Sequence, residues 1–587
     1  MRSLLEGGKA PSTIDVSMEK HMKQYITSKI NVRGFPEFND VIVPAFLKLC
    51  PNQEQSDVFL DFCSYFQRYH LPHLIQDASL DSPLLYSNLP TSFPPPVVAA
   101  AKLITKRTVT IRNPERKKVM NWGNGNQWIS TGLYAKQGQL VTMTVPKSLK
   151  GKFGIQLGVH TDHLYGKNLK KRLNGEKVNR PAYIDQYYEK KIIKEKTRIL
   201  TPYGGLIYIC VRRYNKLGDF DLEFENVLES PRFIYGESNN TSWQESFADS
   251  EAPMVELEVP GIIFTIPKSN IEKLKPDMEK LAQLWKNIMD TYDDLLGYVV
   301  PAPHRYTSDV EISIGGEHAG YPMMCSGIQG CSYVWDMANK TGINTGQVNS
   351  GTAWGVYHEI GHNNQEGRWT PSGLGEVTNN IMAEYVNEKL FNFKPESSDT
   401  TKIEEFRKGG KKVDDLGPWG YLNIFMIVVD ECGWDTYKRF FRYYNEKMPW
   451  TLSPNTNDNK FSTIARVLSL SCNKNLVPYF RWWKWPILND TIEATKSLPA
   501  WENVEQMLDS SVKKCTGNHV RWYKDCCNEE NPCGEGEGHC ANNDECIAGM
   551  RCGNKNCDIS TLTFTLQDNC CSASALCDGG EICSSDL

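Results

Sequence analysis

His358-Glu359-Ile360-Gly361-His362 is the stretch of this sequence whose residue types and spacing point most directly to chemistry. On a helix, positions i and i+4 stand about 40° apart, so both imidazoles leave one face and can hold a single Zn²⁺. Glu359, offset by one residue, flanks such an ion without ligating it, as suits a general base acting on zinc-bound water. Chance alone gives HExxH in roughly one chain in a hundred of this histidine content, so the surroundings must decide. After a loop containing Pro371 and several glycines comes Gly375-Glu376-Val377-Thr378-Asn379-Asn380. That layout matches the HExxH…E metallopeptidases, where a second helix supplies the third protein ligand. Glu376 is the candidate for it, and Glu384 is the rival. Asn380, one turn beyond Glu376, can orient a ligand from behind.

Helices must carry these residues, and the chain from Trp354 to about Trp501 reads as mostly helical, with apolar-faced segments at Ile424–Val428 and Tyr437–Tyr444. Ahead of it, Met278, Leu281, Trp285, Ile288, Tyr292 and Leu295 repeat at three and four residues, the mark of a long amphipathic helix. Ile262–Ile266 and Glu311–Ser313 are candidate strands. From about Thr108 to Asp249 the period changes to two, as in Val141, Met143 and Val145, and in Phe153, Ile155, Leu157 and Val159. Short alternating segments between Gly, Asn and Pro indicate a β-sandwich. Lys167–Lys196 mixes charges of both signs and reads as a solvated loop or edge. His160 and His163 lie together beyond a candidate strand, without the pattern of a third ligand. The first hundred residues read as helical, with Ser56 as a cap and Phe59, Phe62, Phe66 and Tyr69 on one face, up to a break at Ser92–Pro96.

Twelve of the 19 cysteines lie between Cys515 and Cys583, and the same tail carries four basic against twelve acidic residues. A core-poor segment with that cysteine density reads as an acidic, disulfide-stapled module from an oxidising compartment. The predicted location is therefore extracellular, although Met1–Lys29 contains no apolar core of a signal peptide. Asn239, Asn240, Asn339 and Asn489 stand in glycosylation sequons. The near-neutral body is not that of a nucleic-acid binder, and no apolar run approaches the ~20 residues of a membrane span. Of the body's seven cysteines at least one must stay unpaired, and Cys325 with Cys331 is the most plausible local pair.

Trp354–Gln365 (WGVYHEIGHNNQ), Trp369 and Gly375–Asn380 together resemble the M60-like (enhancin-type) zinc metallopeptidases. Trp128–Ala135 (WISTGLYA) is similar to the family's accessory β-domain, Ile262–Pro267 (IIFTIP) to its entry into the catalytic domain, and Gly315–Pro322 (GGEHAGYP) to its cleft strand. Gly433-Trp434, Asn475-Leu476 and Trp482–Pro486 look like its helical subdomain, so the likeness spans about residues 106–508. It implies a multidomain α+β chain. Residues 1–105 would be a helical region of unknown role and 106–255 an accessory β-sandwich. A mostly helical, gluzincin-like peptidase domain would occupy 256–510, and the cysteine-rich module 511–587, able to bind an extracellular partner or glycan.

The activity implied is hydrolysis of peptide bonds in proteins, O-glycosylated and mucin-like ones among them, with one catalytic zinc. A branch of related channel-associated factors acts by binding, so a non-catalytic adhesive or regulatory protein is the alternative. Within the peptidase reading Tyr321, His318 and Tyr385 are candidate oxyanion donors. Gly315 and Gly316 would let a substrate strand approach. Trp354, Trp369 and Trp419 are candidates for stacking on sugar rings, with Trp369, in the loop between the ligands, holding the best claim.

Overall fold

The computed structural model describes residues 100–118, 125–327, 354–391, 416–448 and 454–501, scattered positions between 64 and 98, Cys331, Val334, and the pairs 551–552 and 571–572. The aromatic face expected at Phe59–Tyr69, the Asn339 sequon and the cysteine-rich tail lie outside the described residues. The tail contributes only a ladder pairing Arg551–Cys552 with Cys571–Ser572. The chain is a mixed α/β protein in two compact units, divided at 285/286, 299/300 and 336/337.

The first unit begins with β1 (Arg107–Ile111), β2 (Asn126–Ala135), β3 (Val141–Thr144) and β4 (Gly154–Leu157), followed by helix α1 (Tyr165–Leu173). Then come β5 (Gln186–Tyr188), β6 (Lys196–Ile199), β7 (Gly205–Arg212), β8 (Phe220–Glu225) and β9 (Leu228–Glu229). They form two antiparallel sheets, ordered β1-β8-β3-β6 and β5-β4-β7-β2-β9. Alternate residues from both, among them Val141, Met143, Ile155, Leu157, Ile207, Ile209, Leu222 and Phe224, meet in one apolar cluster, which is what the period of two requires. Strand β4 departs from strict alternation. Gln156 is buried as well, and its amide donates to the Asp185 carboxylate at 3.0 Å.

The lysine-rich stretch contains a helix, α1, that its charge pattern did not announce. Two of its lysines have a fixed task. Lys167 and Lys171 converge on Glu311, where Asn179 also donates at 2.6 Å. Lys167 reaches the Ile312 carbonyl too, at 2.6 Å. The backbone here is taken up by side chains, the Glu311 amide by Asp309 at 3.1 Å, the Ser313 amide by Asp162 at 2.6 Å and the Ile312 carbonyl by Lys167. The strand expected at Glu311–Ser313 is therefore not formed, and the strand lies at His304–Asp309.

The rest of this unit comprises β10 (Arg232–Ile234), α2 (Asn240–Asp249), β11 (Met254–Val259), β12 (Ile262–Pro267) and α3 (Lys268–Leu274). After them follow α4 (Met278–Leu296), β13 (His304–Asp309), β14 (Glu317–His318) and β15 (Met323–Ser326). The strands make a six-stranded mixed sheet, β10-β11-β12-β13-β15-β14, in which β12, β13 and β15 run parallel. Its charged centre is the Arg305–Glu256 pair at 3.0 Å, both side chains fully buried. Arg305 also donates to the Trp128 carbonyl and the Ser130 hydroxyl, each at 2.9 Å, which ties this sheet to β2. Helix α4 buries all six of its periodic apolar residues. Asn240 caps it, its Oδ1 accepting the Met278 and Glu279 amides at 3.1 and 3.3 Å. Cys325 and Cys331 form the expected disulfide, and Cys210 is buried and unpaired.

From Lys286 onward α4 belongs to the second unit. There follow α5 (Trp354–Asn364), the single turn α6 (Gly375–Thr378), α7 (Asn380–Phe391), α8 (Gly417–Cys432) and α9 (Trp434–Arg442), which runs into a π-turn at Tyr443–Lys447. Helices α10 (Asn457–Cys472), α11 (Val477–Trp482) and α12 (Asn489–Thr495) complete it. A second disulfide, Cys432–Cys472, joins the ends of α8 and α10. Tyr292 of α4 donates to the Tyr357 carbonyl of α5 at 2.6 Å, and Asn445 donates to the Leu296 carbonyl at the end of α4 at 2.7 Å. No described helix is long and apolar enough to cross a membrane.

Candidate metal centre

Helix α5 buries Val356, Tyr357, Ile360, Gly361 and Asn364, which leaves His358 and His362 together on its partly open side. Gly361 makes this possible. A Cβ there would stand 2.5 Å from the carbonyl oxygen of Asn379, so only glycine lets α5 lie this close to the α6–α7 segment. Glu376 sits in α6 with φ −86° and ψ 17°, off helical values, and Asn380 opens α7 one turn later.

The two Nε2 atoms lie 3.1 Å apart, and the Glu376 Oε2 is 3.0 Å from that of His358 and 3.1 Å from that of His362. Behind them the Asn380 Oδ1 is 2.6 Å from His358 Nδ1 and the Gln365 Oε1 is 3.0 Å from His362 Nδ1. A carbonyl oxygen only accepts, so Gln365 asks for the proton on His362 Nδ1 and leaves its Nε2 a lone pair. His358 Nδ1 has two partners, the accepting Asn380 Oδ1 at 2.6 Å and the donating Asn379 Nδ2 at 3.0 Å, and the shorter contact favours the same tautomer. Gln365 is itself held by donating to the Gly375 carbonyl at 2.8 Å, and Asn380 by donating to the Glu376 carbonyl at 2.8 Å. Burial lowers the His358 pKa, against the raising effect of its Asn380 bond, and so favours the neutral ring.

Three atoms of metal-ligand type, the two Nε2 atoms and the Glu376 Oε2, thus converge on one point, an arrangement suited to a cation. A tetrahedral Zn²⁺ about 2.0–2.1 Å from each ligand sets ligand atoms roughly 3.3 Å apart, close to the separations found. The donor set fits the ion. Glu359 is 6% exposed, and a carboxylate oxygen of it lies within 4.8 Å of the imidazole nitrogens.

The other sequence candidates scatter. Trp369 is 2% exposed and packs edge-on against Phe441, so the expectation that it stacks on a sugar is corrected by its burial. Tyr385 is also a correction. It lies on α7 with 1% exposure, and its hydroxyl donates to Asp294 of α4. Burial first and that carboxylate next push its pKa up to about 12. Glu384 is turned to the Trp354 indole, which donates to it at 3.2 Å, and takes no part in the donor set. The Trp354 ring is tilted against His358 at 4.8 Å, and Trp419, 55% exposed, lies 5.0 Å from Trp354.

His318, Tyr321, Gly315 and Gly316 belong to the first unit. There His318 Nε2 is 2.8 Å from Asp162, and the Tyr321 hydroxyl accepts the Trp128 amide at 3.1 Å. Gly315 has φ +67° and Gly316 has open space where a side chain would be. His160 meets the Ser308 carbonyl at 3.2 Å, and His163 lies 3.7 Å from Asp185. Sequence reasoning missed Gln365. Its only signal was a polar side chain three residues past a ligand, a spacing that most helix ends also offer.

An HExxH pair with a carboxylate from the next helical segment beside it is the arrangement of an HExxH…E metal site. Two family descriptions match the chain, the N-terminal domain of M60-like peptidases over residues 104–224 and peptidase M60, enhancin and enhancin-like, over 226–484. The chain belongs to the M60-like (enhancin-type) peptidase family. Among curated proteins it is similar to a TRPM8 channel-associated factor homolog of Danio rerio, 32% identical over 67% of this chain and 42% of that one. It is likewise similar to TRPM8 channel-associated factor 2 of Homo sapiens, 28% identical over 65% and 40%. The chain spans under half the length of these relatives. Among solved structures it shares its fold with IMPa from Pseudomonas aeruginosa in complex with an O-glycopeptide (TM-score 0.52, 13% identity, 80% of this chain and 63% of that one). ZmpB metallopeptidase from Clostridium perfringens is a second (TM-score 0.51, 13% identity, 70% and 84%).

Proposed function

We propose that this chain is a zinc-dependent endopeptidase of extracellular proteins, O-glycosylated ones among them. In that reading residues 106–255 form an accessory β-sandwich, 256–510 the gluzincin-like catalytic domain, 511–587 a module that binds a partner or glycan, and 1–105 a region whose role is open. The observation that carries it is the convergence of His358, His362 and Glu376 on one point, with Glu359 buried beside them. These three side chains would hold the ion. When bound, it would supply Lewis acidity to the scissile carbonyl and lower a water's pKa towards ~7.

The chain's own groups then have separate tasks. Glu359 takes the proton of the attacking water and hands it to the leaving amine. Asn380 and Gln365 keep the imidazoles in the tautomer that ligates. Trp354 with Trp419 offers ring surface to the substrate. The two disulfides support an oxidising compartment.

The test is zinc content together with cleavage of a mucin-type glycoprotein by the wild type and by Glu359→Gln. The wild type should bind about one zinc and cleave. Glu359→Gln should keep the metal and lose most activity, by about 10²-fold or more. Equal activity in both proteins would sink the mechanism. A second reading, a binding protein on this scaffold, draws on the channel-associated names of the relatives. A wild type that is metal-free and inactive would favour it.

A further inference from the structure

Glu384 is an acid where packing asks for none. It lies on α7, two turns beyond Glu376, and is 1% exposed. Leucine or methionine would fill such a place without the cost of burying a carboxyl group, which is several kcal/mol when charged. Burial accordingly keeps its proton on, with the pKa pushed up to about 8. Two side chains bond to Glu384, Asn387 one turn on along α7 and Trp354 of α5, and only the second ties it to another helix. The Trp354 indole N–H donates to Glu384 Oε1 at 3.2 Å.

Trp354 stands one turn ahead of His358 on α5. Its ring lies 4.8 Å from that imidazole at an interplanar angle of 39°, and 5.0 Å from Trp419 at 42°. Trp419 is 55% exposed, so aromatic surface runs from solvent, across Trp354, to a metal-binding side chain. An indole with only packing around it can turn about its χ2 axis, whereas one whose N–H is bonded to a fixed, buried acceptor cannot turn without leaving that acceptor unpaired.

We infer that Glu384 is a positioning residue that, through the Trp354 N–H, holds the Trp354–Trp419 face in the orientation in which it receives a flat, CH-rich ring of the substrate. The inference rests on the peptidase reading for the existence of a substrate. The hydrogen bond and the ring geometry stand without it. A sugar attached to the substrate and an aromatic side chain both present such a ring, and the probes below tell them apart.

The experiment uses the full zinc-loaded chain carrying Glu359→Gln, which binds without turnover. The first readout needs no ligand: indole rings this close couple, and the circular dichroism of the pair reports their mutual angle. Glu384→Gln keeps an acceptor and should keep that signal, whereas Glu384→Met should lose it. The second readout is the dissociation constant for two peptides of one sequence, one with N-acetylgalactosamine on a threonine, the other with phenylalanine in place of that threonine. Glu384→Met should weaken the preferred peptide by about two- to tenfold, the range of one net hydrogen bond, and Glu384→Gln should not.

Trp354→Phe removes the donor from the other side and keeps a ring, so it covers the case in which Glu384→Met fails to fold. Combined with Glu384→Met it should bind no more weakly than the worse single variant. An unchanged dichroism signal in Glu384→Met, or losses that add in the double variant, overturn the proposal. Binding of neither peptide by the parent protein counts against the peptidase reading alone, and the dichroism comparison then still decides the role of Glu384.

Discussion

Glu384 also makes a claim about pH. Burial, the largest influence on it, holds its proton up to about pH 8, whereas the unfolded chain releases that proton near the ordinary glutamate value of 4.5. The folded form therefore binds a proton that the unfolded form gives up across this interval. The stability this contributes is complete below about pH 4.5 and is lost as the pH rises towards about 8. Urea midpoints should fall for the wild type between pH 5 and 8 and fall less for Glu384→Gln, whose amide does not titrate. Parallel curves for the two proteins would remove Glu384 from the account. The candidate metal donors themselves are legible in the sequence. HExxH names two imidazoles and a glutamate, and the helical period requires them to share a face. Gln365 is not legible there, because an accepting oxygen at its place depends on a side-chain rotamer and on the Gly375 carbonyl that holds its amide.

The face that carries His358 and His362 depends on how closely two helical segments approach. Gly361 sets that distance, since a methyl group on it would meet the Asn379 carbonyl oxygen at 2.5 Å. Both atoms belong to backbone or to a rigid Cβ, so neither can swing aside. Gly361→Ala should push α5 away from the α6–α7 segment, destabilise the fold by about 1–3 kcal/mol, and weaken zinc binding by drawing Glu376 off the imidazoles. Thermal unfolding and competition with a zinc chelator would measure the two effects. A variant with wild-type zinc affinity would mean that the helices adjust more freely than this contact allows. At this scale residue periods are a good guide and surface character a poor one. Helix α4 and strand β12 follow from apolar spacing alone. Helix α1 does not, because its lysines suggest solvent, yet two of them serve Glu311 at the end of β13.

In the first unit the sheets are joined through a buried charge pair. Arg305 and Glu256 are fully enclosed, and the Arg305 Nη2 donates to Trp128 and Ser130 of β2. Removing one partner leaves the other charge without compensation. Glu256→Leu should cost about 3–5 kcal/mol in urea unfolding. The double variant Glu256→Leu/Arg305→Met should recover a large part of that. A double variant as unstable as the single one would show that Arg305 matters through its β2 contacts and not through the pair. The cysteines sort in the same long-range way. Cys325–Cys331 closes over six residues and could be guessed, whereas Cys432–Cys472 closes over 40 and needs α8 and α10 to be packed first.

Residue type and spacing alone specify the chemistry on offer: two imidazoles one turn apart, a glutamate between them, a carboxylate on a following segment, and the periods of the elements that carry them. Those are local properties, and they do not depend on what lies far along the chain. Which side chains meet is a matter of the folded chain. Folding brings Glu376 to the two Nε2 atoms, encloses Trp369 and Tyr385, and turns Glu384 from a rival ligand into the anchor of Trp354. Exposure and partnership are set by packing between segments distant in sequence, and spacing carries no record of that.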